Sequence, residues 1–363
     1  MIDLKSQYLS LKQQIDDGLS QALLSSQFIL GPNVQNFEKE AANYLGVEHA
    51  VGVASGTAAL HLALVAAGIG EGDEVITTSF TFIATAEAIC YVGATPVFVD
   101  VNPNTFNIDL DQIKSAITSK TKAIIPVHLF GQPVDIPALV TLCESENILI
   151  IEDCAQSFGA HINNKMAGSF GTFGTFSFFP SKNLGCFGDG GLITTNDDVL
   201  ANALRILRNH GSHERYHHNV IGFNSRLDEL QAIILRIKLN HIDTYNDERR
   251  RVAHRYSKQL KLMDIQIPHE DNIGKHVYHQ YTVLHDNRDA IMRSLKQNNI
   301  ASAMYYPIPL HRQDVFLVTH RETHCPNAER LAANCFSLPI YPELEDEKID
   351  FICDTIKETL AVG

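Results

Sequence analysis

The chain has 363 residues, 45% of them hydrophobic, which is enough for a sizeable core shared between one large and one small domain. Its 42 acidic against 29 basic side chains leave a formal charge of −13, which opposes non-specific attachment to nucleic acid or an anionic membrane. No apolar run reaches the roughly 20 residues that span a bilayer, and the polar start Met1-Ile2-Asp3-Leu4-Lys5-Ser6-Gln7 does not read as a signal peptide, so a cytoplasmic protein is expected.

In chain order, Leu9, Leu11, Ile15, Leu19, Leu23 and Leu24 predict a helical N-terminus that breaks at Gly31-Pro32 and resumes from Val34 to Leu45. A strand from His49 to Val53 then leads through Ser55-Gly56-Thr57 into an alanine- and leucine-rich helix. Such a helix start can hold a phosphate, because its first N–H groups lack intrahelical partners, and the same residues serve equally as a plain N-cap. Strand and helix alternate from there as in a doubly wound α/β domain: strand 74–78, helix 83–90, strand 95–100, helix 109–117, strand 123–128, helix 136–146, and a strand at 148–152 that ends in Asp153. A buried strand at 173–179 and its hairpin partner at 192–195 flank a glycine-rich segment, and a helix from about 227 to 239 closes a large domain spanning 15–242. A linker near 243–251 and a smaller α+β domain, 243–363, complete the chain, with helix 1–14 packing against that smaller domain or a partner subunit. Arg249-Arg250-Arg251 reads as a solvated helix face. The seven cysteines include no C-x-x-C and read as buried, reduced thiols; Cys186 draws notice for its place in the glycine-rich segment.

That segment, Ser177 to Gly191, sets Lys182 between an apolar strand and a run of glycines, at the rim of a core. A partly desolvated lysine amine loses its proton more readily and becomes a nucleophile able to form Schiff bases. Upstream, Ile150-Ile151-Glu152-Asp153-Cys154-Ala155-Gln156 ends an apolar strand in an acid. An acid and a lysine at strand ends are what pyridoxal phosphate requires, a carboxylate for its pyridinium nitrogen and an amine for the Schiff base. Other patterns are weaker. The glycine run is not followed by a helix and contains no phosphate-loop signature. Ser181 and Lys182 are adjacent on an extended segment and point to opposite faces, which disfavours a hydrolytic dyad. The histidines at 210, 213, 217 and 218 lack a carboxylate or cysteine to complete a metal site, so none is expected.

With Ser55-Gly56-Thr57, Glu152-Asp153-Cys154-Ala155-Gln156, Ser177-Phe178-Phe179-Pro180-Ser181-Lys182 and Asn224-Ser225-Arg226-Leu227-Asp228 in this order, the chain resembles the DegT/DnrJ/EryC1/StrS sugar aminotransferases over nearly its whole length. These are pyridoxal phosphate enzymes of fold type I, so the resemblance implies a doubly wound mixed sheet with a smaller C-terminal domain. It also implies that Lys182 carries the cofactor and Asp153 stands at the pyridinium nitrogen. Gly56 and Thr57, with Ser55 at the same helix start and the Ser177 hydroxyl, would bind the phosphate. Asn224 would reach that phosphate from the neighbouring subunit of a homodimer with shared sites. Phe80 matches the ring-stacking position and Gln156 the residue beside the pyridine hydroxyl. Arg226, Tyr306 and His311 are implied substrate contacts, with Arg215, His217 and His218 as further cations for a diphosphate or a carboxylate. Many relatives carry His-Tyr-Pro where this chain has Tyr305-Tyr306-Pro307. The implied reaction moves an amino group from an amino acid, usually glutamate, to C3 of a nucleotide-linked keto sugar. The favoured sugar is UDP-linked 3-keto N-acetylglucosamine or its uronic acid, destined for surface polysaccharide such as lipopolysaccharide O-antigen. A dTDP-linked 3-keto-6-deoxyhexose or a 4-keto sugar stays open.

Overall fold

The computed structural model, which describes residues 1–143, 146–214 and 216–362, begins with two helices capped in different ways. α1 (Leu4–Ser25) starts on Asp3, whose carboxylate accepts the Ser6 amide, and α2 (Pro32–Leu45) starts with a proline where a missing N–H costs nothing. α1 runs through the boundary expected at residue 15 and ends before the expected break at Gly31-Pro32. Its apolar stripe is also narrower than expected. Leu11 and Ile15 are buried against Ile234, whereas Leu9 and Leu24, each two residues from a buried position and so on the far side of the helix, are 54% and 84% exposed.

The next strands are β1 (His49–Val53), β2 (Glu74–Thr78), β3 (Thr95–Val99), β4 (Thr121–Ile125) and β5 (Leu149–Asp153). The two-residue pair β6 (His161–Ile162) and β7 (Lys165–Met166) is followed by β8 (Phe173–Ser177) and β9 (Gly191–Thr195). The main sheet runs in the order β1-β9-β8-β5-β4-β2-β3, and β9 lies antiparallel to both of its neighbours. Helices α3 (Gly56–Ala66), α4 (Ala84–Tyr91), α5 (Leu110–Ala116), α6 (Ile136–Cys143) and α7 (Asp198–Leu207) cover the two faces; part of the predicted extension of α6 to 146 lies outside the described residues. Strands buried on both faces read as continuous apolar runs, as Ala123-Ile124-Ile125 and Ile150-Ile151 do. The expected doubly wound mixed sheet is thus present. Phe173, Phe176 and Phe178, at most 1% exposed, anchor β8 and the chain just beyond it, each burial contributing about 2 kcal/mol. The parallel strands end together at Thr78, Ile125, Asp153 and Ser177, along the edge where open α/β sheets place their ligands.

An exposed hairpin of β10 (Ser212–Glu214) and β11 (His217–His218) precedes α8 (Glu229–Leu239) and α9 (Ile242–Leu260). Where the sequence suggested a linker, α9 continues unbroken. Its first turns face the main sheet, Asn246 donating to the Phe158 carbonyl at 3.0 Å. Its later residues Val252, Tyr256 and Leu260 form a second core with β12 (Tyr281–Leu284), α10 (Arg288–Gln297), β13 (Cys335–Leu338) and α13 (Asp346–Val362). Two short helices, α11 (Asp314–Leu317) and α12 (Pro326–Asn334), lie between α10 and β13. The arginine run is not the solvated face expected of it, because successive helix residues point about 100° apart. Arg249 turns inward, 2% exposed, and donates to the carbonyls of Tyr278 at 3.3 Å and Ile340 at 3.1 Å. Arg250 bonds the His276 carbonyl and Glu270, and Arg251 meets Glu248 and Asp346 in solvent. Six of the seven cysteines are buried, as expected, and Cys90 is exposed.

Candidate active site

β8 ends at Ser177 and the chain folds back on itself so that Lys182 stands at the tip of a turn. The Lys182 amide donates to the Phe179 carbonyl at 2.8 Å, and the Cys186 amide and thiol donate to the Phe178 carbonyl at 2.9 and 3.0 Å. Gly185 lets the two limbs touch, since a Cβ there would lie 2.5 Å from the Pro180 oxygen. The turn aims Lys182 into a cavity of 470 Å³ at the sheet edge, within the range of small cofactor sites. Burial pushes its amine down to about 8, against the opposing pull of the Asp153 carboxylate.

Asp153 closes β5, 4% exposed, and its carboxylate accepts the Thr85 hydroxyl at 2.8 Å and the Ala155 amide at 3.1 Å. Burial pushes this carboxyl up, while those two donors and the charge on Lys182 act against the rise. Glu152, one residue earlier, points to the opposite face of the strand. There it accepts the amides of Gly168, Phe170 and Gly171, each at 2.8 Å, and meets His128 Nε2 at 3.1 Å. His128, Glu152 and Cys154 lie close enough to suggest a metal site, but these donors occupy the lone pairs a cation would need, and His128 Nδ1 already accepts the Val134 amide.

At the other end of the cavity, Ser55 caps α3 by accepting the Ala58 amide, leaving Gly56 and Thr57 in the first turn, where a helix offers their N–H groups no acceptor. Ser177 packs so closely that a Cβ at Gly56 would lie 2.6 Å from its own. Gln156 accepts the Phe130 amide at 2.8 Å and donates to the Tyr306 hydroxyl at 3.0 Å, and burial pushes that hydroxyl up.

The structure therefore brings Ser55, Gly56, Thr57, Asp153, Gln156, Ser177, Lys182 and Tyr306 together around one cavity. Other predicted residues lie elsewhere. Phe80 is fully buried, packed with Phe106, Val127 and Leu129. Phe82, 55% exposed, lines the cavity instead. His311 is also fully buried, in a one-turn helix, with Nε2 3.1 Å from Glu329, and it is not in the cavity wall. Asn224 and Arg226 bond each other at 2.6 Å, away from the cavity of their own chain. His217 and His218 lie in the exposed β10–β11 hairpin, and Arg215 falls outside the described residues. The cavity also takes in Thr85, Phe179, Asp189, His279, Gln280 and Tyr305. Thr85 was within reach of the sequence, one helical turn beyond Phe82, whereas no local pattern marks His279 or Gln280.

These residues fit pyridoxal phosphate at each end: amides at a helix start for a phosphate, an apolar ring face, a buried carboxylate for a ring nitrogen, and an amine that sheds its proton near neutrality. Fold and cavity together define a pyridoxal-phosphate-dependent aminotransferase of fold type I. The chain belongs to the DegT/DnrJ/EryC1/StrS aminotransferase family, whose model matches residues 10–357. It is 51% identical over 360 residues to the UDP-N-acetyl-3-dehydro-alpha-D-glucosamine 3-aminotransferase of Acidithiobacillus ferrooxidans, covering 99% of this chain and 97% of that one. To the UDP-2-acetamido-2-deoxy-3-oxo-D-glucuronate aminotransferase of Pseudomonas aeruginosa it is 44% identical, covering 97% and 98%. The crystal structure of S. venezuelae DesV superposes with a TM-score of 0.96 at 41% identity, covering 99% and 97%.

The shift on Lys182 can be measured without the cofactor. Amine-selective labelling of the cofactor-free protein, read by peptide mass across pH, should show Lys182 half-reactive near pH 8, below an ordinary lysine at about 10.4. Because the Asp153 charge holds that value up, Asp153→Asn should move the midpoint further down. A wild-type midpoint above 10 would show that the amine is not desolvated.

Proposed function

We propose that this enzyme transfers an amino group from glutamate to C3 of a UDP-linked 3-keto N-acetylglucosamine or its uronic acid, in the cytoplasm, for surface polysaccharide. The observation that carries the reading is the 51% identity, over nearly the full length of both chains, to a relative named for amination at C3 of a UDP-linked 3-dehydro-glucosamine. The Pseudomonas aeruginosa relative, 44% identical, is named for the corresponding 3-oxo-glucuronate. Phe179, which lines the cavity where enzymes acting at C4 more often carry a histidine, points the same way.

Pyridoxal phosphate, when bound, supplies an electron sink beside the carbon–nitrogen bond being exchanged. The chain's own groups do the rest in this reading. Lys182, deprotonated around pH 8, takes and returns the proton at the reacting carbon. Asp153, oriented by Thr85 and Ala155, holds a positive charge on the ring nitrogen. Gly56, Thr57 and Ser177 hold the phosphate, Phe82 rather than Phe80 presents a flat apolar face to the ring, and Gln156 fixes the Tyr306 hydroxyl. Asn224, unused within its own subunit's cavity, completes the site of a homodimer from the partner side.

Three measurements check these assignments. The aminated enzyme should return to its starting absorbance with a UDP-linked 3-keto sugar; return only with a 4-keto sugar would sink the C3 assignment, and return only with a dTDP-linked 3-keto-6-deoxyhexose would overturn the nucleotide. Phe82→Ala should weaken cofactor binding by about three- to tenfold with stability little changed, whereas Phe80→Ala should destabilise the fold by about 3–5 kcal/mol. Lys182→Ala and Asn224→Ala chains, each nearly inactive alone, should regain activity when mixed, because one site of the mixed dimer carries neither lesion. No recovery from well-folded, exchanging chains would rule out a shared site.

A further inference from the structure

The turn that carries Lys182 is held from behind by α8. Two residues seven apart on that helix, and so on one face, reach its return limb. Gln231 accepts the Phe187 amide at 2.9 Å, and Lys238 donates to the Gly185 carbonyl at 2.7 Å. Lys238 is 1% exposed. Its ammonium lies 4.5 Å from the centre of the Phe187 ring, and the titratable groups that face it are the Cys186 thiol and the Glu343 carboxyl. Among the described residues no carboxylate is ion-paired with it, and burial lowers its pKa to about 8.

A buried ammonium without a counter-ion is a poor way to stabilise a fold: one carbonyl and one ring face do not recover the hydration it loses, and an apolar side chain of similar length would fill the same space. What the ammonium adds is direction. Gly185 is the point where the two limbs of the turn press together, with the Pro180 and Phe179 oxygens against its α-carbon, and its carbonyl accepts from Lys238 on the helix side. We propose that Lys238 is a positioning residue for Lys182, its ammonium fixing the Gly185 carbonyl and with it the fold-back of residues 178–187 that keeps the Lys182 amine inside the cavity. Asn183, next to Lys182 on the same return limb, supplies a second tether, donating to Asn246 of α9 at 2.7 Å and to the Val277 carbonyl at 2.9 Å.

The proposal rests on the reading of Lys182 as the reacting amine, which the wild-type labelling profile tests separately. The experiment compares Lys238→Met and Lys238→Arg with wild type, as full-length cofactor-free protein, by melting temperature and by the pH profile of Lys182 labelling. With methionine the melting temperature should hold or rise, since an unpaired buried charge is gone. The turn should loosen and admit water to Lys182, moving its labelling midpoint up by about one unit, which is about fivefold less labelling at pH 8. Arginine keeps a cationic donor and should return the midpoint toward the wild-type value. Reloaded with pyridoxal phosphate, the methionine variant should react with the amino donor about tenfold more slowly. A methionine variant whose Lys182 midpoint stays near 8, or that melts far lower or does not fold, would assign Lys238 to the fold alone and overturn the proposal. Identical profiles for the methionine and arginine variants would do the same.

Discussion

An amine and a carboxylate kept in one water-poor cavity constrain everything built around them. Burial drives Lys182 and Asp153 toward their neutral forms, the lysine downward and the aspartate upward, while their attraction pulls both back toward charge. Neither group can be left to find its own orientation, because at low dielectric a small displacement changes the balance for both. Asp153 is fixed by two donors that do not titrate near neutrality, the Thr85 hydroxyl and the Ala155 amide. Lys182 is fixed through its backbone, by a turn whose limbs are bonded to each other and to two helices.

The adjacent acids of β5 show how strand geometry separates two tasks. Side chains alternate across a strand, so Asp153 faces the cavity and Glu152 the layer behind it. Glu152 is saturated by three backbone amides and His128, which makes it a clamp on the segment from Gly168 to Gly171. Asp153 keeps fewer donors and stays available to a ligand. The same economy appears at the phosphate end, where Gly56 and Gly191 let the helix start and the β8–β9 hairpin approach more closely than any side chain would allow. That contact places the Ser177 hydroxyl beside the amides of α3.

Much of this arrangement can be read from the chain because it depends on local signals. An acid ending an apolar strand, a lysine between a strand and glycines, and a hydroxyl before an alanine-rich helix each fix a side chain at the sheet edge through neighbours close in sequence. What could not be read depends on packing between distant segments. Phe80 and Phe82 are equally apolar and two residues apart, yet Phe80 packs with Phe106, Val127 and Leu129 while Phe82 faces the cavity. His279 and Gln280, in the non-helical segment before β12, line the site while Arg249 of α9 bonds the carbonyls of Tyr278 and His279. The arginine run misled for the same reason: three consecutive charges look solvated until the helix they lie on is known to be buried along one side.

That buried side explains how two cores make one cavity. α9 passes without a break from the layer beside the main sheet into the second core, with Arg249 along it bonding the carbonyls of Tyr278 and His279, while Tyr305 and Tyr306 pack with Phe80 and Phe130. Further bonds tie the segment 310–327 to the main sheet: the Leu310 amide reaches the Ser79 carbonyl at 2.7 Å, Asn327 the Val101 carbonyl at 3.0 Å, and His320 the Pro96 carbonyl at 2.8 Å. All three acceptors lie on or just beyond β3, the edge strand farthest from β1, and its neighbour β2. The cofactor side of the cavity, built from the centre of the sheet, is therefore rigid on its own account, while the opposite wall takes its position from the sheet's edge and from α9. Substitutions in that wall can reshape the space offered to a sugar without moving Lys182 or Asp153, which is a physical route by which one cofactor site can serve different keto sugars.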